Sequence, residues 1–275
     1  MIYSTSCYAK LNLFLAVGPI DDRGYHPLRT VFQTVGLADE IKVDFSASDD
    51  TIDATGADLP DENTLSKTLR LTRELIEVPP LRITLKKVIP MESGLGGGSS
   101  NAAGLLRILG RRFDPALNPQ AMFEIACAVG CDVPFFLVGG TARGEGYGED
   151  ISPLPDLPTN WAVIVKPEIG VSSGTGYAAL DRQEYTWRDF DTDPMVGYND
   201  FERVMPCISG DAIERLLSHG AMSANLTGSG SAVFGLVGTE FDADRIKNAM
   251  ESEGLGQVFA VPFVGRSESL QVNTS

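Results

Sequence analysis

The sequence predicts an α+β fold. Segments of alternating polarity and segments of helical spacing follow one another without strict strand–helix alternation, which disfavours a doubly wound parallel sheet. Several helical stretches also carry recognisable caps. The chain has 275 residues and is 43% hydrophobic, enough for one large domain or two smaller ones.

Residues 8–17 read as a strand, with Leu11, Leu13 and Leu15 alternating with Lys10, Asn12 and Phe14. The turn Asp21-Asp22-Arg23-Gly24 follows. Leu28–Val35 reads as a second strand or a short helix, and Glu40–Phe45 as a separate strand. Asp61–Ile76 has helical spacing and Leu81–Val88 alternates as a strand. Asn101–Phe113 is an amphipathic helix with Leu105, Ile108 and Leu109 on one side. Asn118 and Pro119 start the next helix as N-cap and first helical residue, and Gly130 closes it as a C′ glycine. Pro153, Pro155 and Pro158 mark a boundary, giving domains 1–155 and 156–275. Beyond it come a strand at Trp161–Lys166, a helix at Asp211–His219 closed by Gly220, and two strands in 222–237 around Gly228-Ser229-Gly230. A charged helix at Asp242–Glu253 and a strand at Val258–Val264 complete the pattern, and the polar end RSESLQVNTS reads as a loose tail. The sequence contains no internal repeat.

A formal net charge of −15 argues against nucleic acid or an anionic membrane as partner. A polyanionic ligand must then be held by backbone amides, a few placed cations and a metal ion. The N-terminus lacks a signal-peptide pattern, and no apolar run is long enough to span a bilayer. Cys7, Cys127, Cys131 and Cys207 form no disulfide framework, which suits a cytoplasmic setting. Cys127 and Cys131 read as small buried apolar residues. With only His26 and His219 available, a zinc site lacks good ligands.

Residues 90–100 (PMESGLGGGSS) break all periodicity between a strand and a helix. Glycines at 94, 96, 97 and 98 admit close approach of a ligand to the main chain. Their amides, with the positive end of a helix beginning near Ser99, form a phosphate cradle built without side-chain charge. The segment is neither a Walker A loop nor a dinucleotide fingerprint. The glycines taken alone fit a flexible hinge as well, but Pro90 before them and the compact Ser-Ser-Asn-Ala-Ala helix start after them favour a structured loop.

The pattern Pro90-x3-Gly94-Leu95-Gly96-x2-Ser99-Ser100-x-Ala102-Ala103 resembles the phosphate loop of the GHMP kinases. Ala9-Lys10-Leu11-Asn12-Leu13 and Gly24-Tyr25-His26-x-Leu28 are similar to the branch of that family that recognises a cytidyl diphosphate substrate. Gly130-Cys131-Asp132-Val133-Pro134 resembles its catalytic segment, and Thr227-Gly228-Ser229-Gly230-Ser231 its third motif. The matches run along nearly the whole chain in family order. Cys131 stands where alanine is common and Tyr147 where arginine is common.

The resemblance implies a two-lobed GHMP-kinase-like fold with the ATP site between N- and C-terminal domains. It implies phosphorylation of an alcohol by ATP with Mg2+, in the non-mevalonate route to isoprenoid precursors. Asp132 is the expected proton acceptor and Lys10 its partner; without the resemblance, Asp132 reads as a cap and Lys10 as a sheet-edge residue. Pro90, Met91, Glu92, Ser93, Gly94, Leu95, Gly96, Gly97, Gly98, Ser99 and Ser100 are expected around ATP, with Asn63 beside the adenine and Ser100 as magnesium ligand. Asn12, Tyr25, His26, Ser173, Tyr177, Gly228, Ser229 and Gly230 are expected at the substrate, Tyr25 stacking on cytosine. For Tyr177 core packing is a rival role, and for Gly228-Ser229-Gly230 an ordinary hairpin turn. Two competing functions remain open: a GHMP kinase for another alcohol, and a nucleotide-binding regulator without turnover. The sequence carries no signal for oligomeric state.

Overall fold

The computed structural model describes residues 1–158, 160–185, 187–190, 195 and 197–274. Two long antiparallel strands open the chain, β1 (Ile2–Val17) and β2 (Leu28–Asp44). β3 (Thr51–Thr55), α1 (Thr64–Arg73) and β4 (Arg82–Lys86) follow, then α2 (Gly97–Phe113), α3 (Pro119–Val129) and α4 (Val133–Val138). β5 (Thr141–Glu145) and β6 (Asp150–Pro153) end the first part. The second holds β7 (Trp161–Lys166), α5 (Ser173–Leu180), β8 (Tyr198–Asn199), α6 (Cys207–Ser218), β9 (Ser223–Leu226), β10 (Val233–Val237), α7 (Glu240–Glu253), β11 (Gln257–Pro262), α8 (Arg266–Ser269) and β12 (Asn273–Thr274).

One sheet runs β12-β1-β2-β4-β3, with β5 and β6 continuing from β2 and β8 lying parallel to β1; the other runs β11-β7-β10-β9. Helices α1 to α4 cover one side of the first sheet, with Leu105, Ile108 and Leu109 packed among Val43, Ile83 and Phe135. On the other side, Leu11, Leu13 and Val35 meet Ile164, Phe234 and Val261 of the second sheet. The central stretch of the first pair of strands is therefore buried on both faces: residues 9–17 and 30–35 are buried without exception. This corrects the reading of Leu28–Val35 and Glu40–Phe45 as two elements. They belong to the single strand β2, whose residues 30–35 are buried on both faces and so lack the alternation that marks a strand facing water, while residues 36–44 alternate.

The tail reading is also corrected. Residues 266–269 form α8, and β12 pairs with β1 through Tyr3 opposite Thr274 and Ser4 opposite Asn273. Thr5 Oγ1 donates to the Gln271 carbonyl at 2.6 Å. Asn118 caps α3 by accepting from the Ala121 amide, but Gly130 at its end is extended (φ 176°) rather than left-handed. The four cysteines are free thiols. Cys131 is exposed and Cys127 half-buried, so neither is the buried apolar residue expected; Cys7 is, its thiol pushed up to about 11 by burial. The second sheet is built wholly from residues 161–262, while β8 and β12 return to the first. Among the described residues no helix is long and apolar enough to cross a membrane.

Candidate active site

The glycine loop leaves β4 and ends in α2. Gly94 (φ 78°) and Gly96 (φ 73°) are left-handed, and Gly96 is the N-cap. The helix begins at Gly97, two residues before the expected Ser99, with Ser100 N–H donating to the Gly96 carbonyl at 2.9 Å. The amides of Gly97, Gly98 and Ser99 thus precede the first intrahelical bond and are available to an anion. The loop is pinned by β1, where Lys10 N–H donates to the Leu95 carbonyl at 3.0 Å, and by the 227–232 turn, where Ala232 N–H donates to the Ser93 carbonyl at 3.2 Å. At Gly94 a Cβ would lie 2.1 Å from the Thr227 carbonyl oxygen, so the turn is more than an ordinary hairpin connection.

A cavity of about 680 Å³ opens over this loop. Its wall includes Pro90 to Gly94, Gly96 to Ser99, Asn63, Lys10, Asp132, Ser173, Gly228 and Ser229. Leu95 and Ser100 do not line it and are buried, at 0% and 1% exposure. Among the described residues the Ser100 Oγ has no hydrogen-bond partner. Ser99, unlike Ser100, lines the cavity wall. Asn63 caps α1, accepting from the Leu65 and Ser66 amides, which already occupies its carbonyl.

Lys10 and Asp132 come together from β1 and the N-terminus of α4, with Nζ 3.9 Å from Oδ2. Asp132 sits at the N-cap position of α4 without making a cap bond. Its carboxylate is therefore not committed to the helix. Lys10 is 3% exposed; burial pulls its pKa down and Asp132 pulls it up. Asn12, on the same face two residues along, accepts from Lys10 Nζ and from Gly228 N–H, and donates to Thr30 Oγ1 at 2.7 Å. It does not line the cavity. The structure places it as the brace between Lys10 and the 227–232 turn. One extra residue in β1 between Asn12 and Phe14 bends the strand at this point.

Tyr25, His26 and Tyr177 lie outside the cavity wall. His26 stacks on Tyr177 with ring centroids 5.0 Å apart, its Nδ1 3.0 Å from the Gly18 carbonyl and its Nε2 3.4 Å from Asp181. The Tyr177 pKa is raised by burial and by the charges of Asp132 and Cys131. Tyr25 is 61% exposed and faces Tyr147 at 5.4 Å. Tyr147 donates from its hydroxyl to Asp21 Oδ2, closing the 18–27 loop. Gly230 lies in the 227–232 turn but off the cavity.

Sequence reasoning missed Lys87 and Asp39. Lys87 lines the cavity, its Nζ 2.7 Å from where a Cβ on Gly97 would stand. The cradle therefore does have side-chain charge, contrary to the expectation. The available signal was the Lys86-Lys87 pair at the end of an alternating strand, one member of which faces inward.

A glycine loop opening a helix, a buried lysine against a carboxylate, and a turn from the second sheet meet at one cavity. Residues 63–140 match the GHMP kinases N terminal domain and residues 205–255 the GHMP kinases C terminal domain. The chain belongs to the GHMP kinase family of ATP-dependent small-molecule kinases. It is 34% identical to the 4-diphosphocytidyl-2-C-methyl-D-erythritol kinase of Moorella thermoacetica, over 91% of this chain and 95% of that one. To the enzyme of the same name from Caldicellulosiruptor saccharolyticus it is 36% identical, over 87% and 91%. A crystal structure of 4-(cytidine 5'-diphospho)-2C-methyl-D-erythritol kinase superposes with a TM-score of 0.81 at 31% identity, covering 95% of this chain and 99% of that one. Homoserine kinase from Cytophaga hutchinsonii shares the fold, with a TM-score of 0.72 at 17% identity over 99% and 97%.

Proposed function

We propose that the chain transfers the γ-phosphoryl group of ATP to the 2-hydroxyl of 4-diphosphocytidyl-2-C-methyl-D-erythritol, a step of the non-mevalonate isoprenoid route. The observation that carries this reading is the placement of the Lys10–Asp132 pair between two distinct surfaces. On one side is the amide-lined cavity, and on the other Tyr177, which feels the Asp132 charge and stacks on His26. In this reading residues 1–155 bind ATP and carry the catalytic pair, and residues 156–275 supply the substrate-side turn and Tyr177. The free thiols fit a cytoplasmic enzyme.

Phosphoryl transfer depends mainly on positioning and on neutralising charge. The amides of Gly97, Gly98 and Ser99 hold the phosphates and Lys10 offsets negative charge at the acceptor. Asp132 takes the hydroxyl proton on its free carboxylate. Among the described residues there is no cluster of three or more histidines, cysteines and carboxylates suited to a metal. Among the oxygen donors at the cavity wall, Ser99 and Glu92 would hold a Mg2+ that binds together with ATP and needs few protein ligands. When bound, that ion neutralises charge on the transferring phosphate.

The direct test offers ATP with 4-diphosphocytidyl-2-C-methyl-D-erythritol, homoserine or mevalonate and follows ADP formation. Turnover is expected with the cytidyl acceptor alone. Equal turnover of homoserine or mevalonate would remove the cytidyl assignment, and ATP binding with no acceptor phosphorylated would indicate a regulator. A second expected outcome concerns Tyr25. Tyr25→Ala removes one aromatic stack, worth about 1–3 kcal/mol, and weakens the cytidyl substrate roughly five- to more than a hundredfold. ATP affinity stays near wild type. Equal losses for both ligands by calorimetry would make Tyr25 a structural residue of the 18–27 loop.

A further inference from the structure

Asp39 of β2 lies 1% exposed directly beneath the phosphate loop, and four donors converge on its two carboxylate oxygens. The Val88 and Ile89 amides donate to Oδ1 at 2.7 and 2.8 Å. Lys87 Nζ and Asn101 Nδ2 donate to Oδ2 at 2.6 and 2.8 Å. Val88 and Ile89 belong to the segment that enters the loop, and Asn101 to the helix that leaves it. One carboxylate therefore ties both ends of the loop to the central sheet. Its charge also holds the ammonium of Lys87, a side chain only 6% exposed, against Gly97 at the cavity wall.

We propose that Asp39 is a positioning residue for nucleotide binding, fixing the Lys87 ammonium and both ends of the phosphate loop without touching the ligand. The proposal rests on the reading that ATP occupies this loop. A buried carboxylate with four donors is saturated, so it has no capacity left for a ligand. An ammonium that loses its carboxylate in so buried a place must turn toward water or be left uncompensated. Either change shifts positive charge at the phosphate cradle, and the loop ends lose their common anchor. The acceptor side, held by Asn12, Thr30 and the 227–232 turn, shares none of these bonds.

Asp39→Asn keeps the shape, but its amide presents a donor to Lys87 or Asn101, or to the Val88 and Ile89 amides. Lys87→Gln breaks the same pair from the other side and leaves the loop amides anchored. The test measures affinity by calorimetry for ATP's non-hydrolysable β,γ-imido analogue and, separately, for cytidine 5'-diphosphate, with melting temperature recorded. Each single variant is expected to bind the analogue tenfold or more weakly while binding cytidine 5'-diphosphate within twofold of wild type. The double variant is expected to be no worse than the poorer single one, because the two residues act as a unit. Analogue affinity within twofold of wild type, or an equal fall for both ligands, overturns the proposal. If Asp39→Asn does not fold, the Lys87→Gln protein decides by the same two affinities. A wild-type chain that fails to bind the analogue would instead overturn the ATP reading.

Discussion

Asp132→Asn is expected to lower single-turnover phosphoryl transfer by about 10²–10⁴-fold, the usual scale for loss of a general base. The substitution keeps the shape and removes the basicity. ATP and acceptor affinities should change far less, since neither depends mainly on the hydroxyl proton. The fold should tolerate it, because the Asp132 side chain makes no cap bond to α4. A secondary effect has a definite sign. Burial lowers the Lys10 pKa and the Asp132 charge raises it, so neutralising Asp132 lowers it further and weakens the cation at the acceptor. Lys10→Met should also damage transfer, and the double variant should be little worse than the poorer single one. Near-normal transfer by Asp132→Asn would sink the base assignment and leave positioning and electrostatics as the whole mechanism, which phosphoryl transfer tolerates.

The second large effect is expected at Gly98. A Cβ there meets only the Thr64 side chain, at 3.6 Å, an ordinary contact. Gly98→Val should therefore fold normally yet crowd the first turn of α2, and weaken ATP by at least roughly tenfold, or about 1.4 kcal/mol. The neighbouring glycines make poorer tests. Gly94 and Gly96 are left-handed, and a Cβ on Gly96 would press on Phe136 at 2.8 Å. A loss of binding there would mix strain with occlusion. ATP affinity by calorimetry, with circular dichroism as the folding control, decides it. Wild-type affinity in the Gly98→Val protein would take this loop out of the nucleotide site.

The part of the site that was legible in the sequence is the part written in consecutive residues. The 90–100 loop announces itself because four glycines interrupt a strand–helix transition, and the Asn118-Pro119 start needs only two neighbouring residues. Lys10 was conspicuous as a charge inside an apolar strand. Its partner, 122 positions away (132 − 10), was supplied by resemblance and not by spacing. Asn12 shows the limit of that approach. Its polarity on the Lys10 face suggested a substrate contact, but its bonds go to Thr30, Lys10 and Gly228.

By itself the sequence determined the α+β class, several of the helices with the Asn118 cap, and the glycine-rich break between a strand and a helix. Each of these depends on backbone hydrogen bonds made within a few residues, or on a periodicity facing water on one side. Only the tertiary structure decided that residues 28–44 are one strand, that β12 joins β1, and that Asp39 anchors Lys87 and Asn101 from 48 and 62 positions away. The reason is common to all three. A stretch such as residues 30–35, buried on both faces, has no polar side to display, and an edge pairing needs a partner from the far end of the chain. A buried charge is stable only beside its counter-charge, whose place is fixed by how the chain packs.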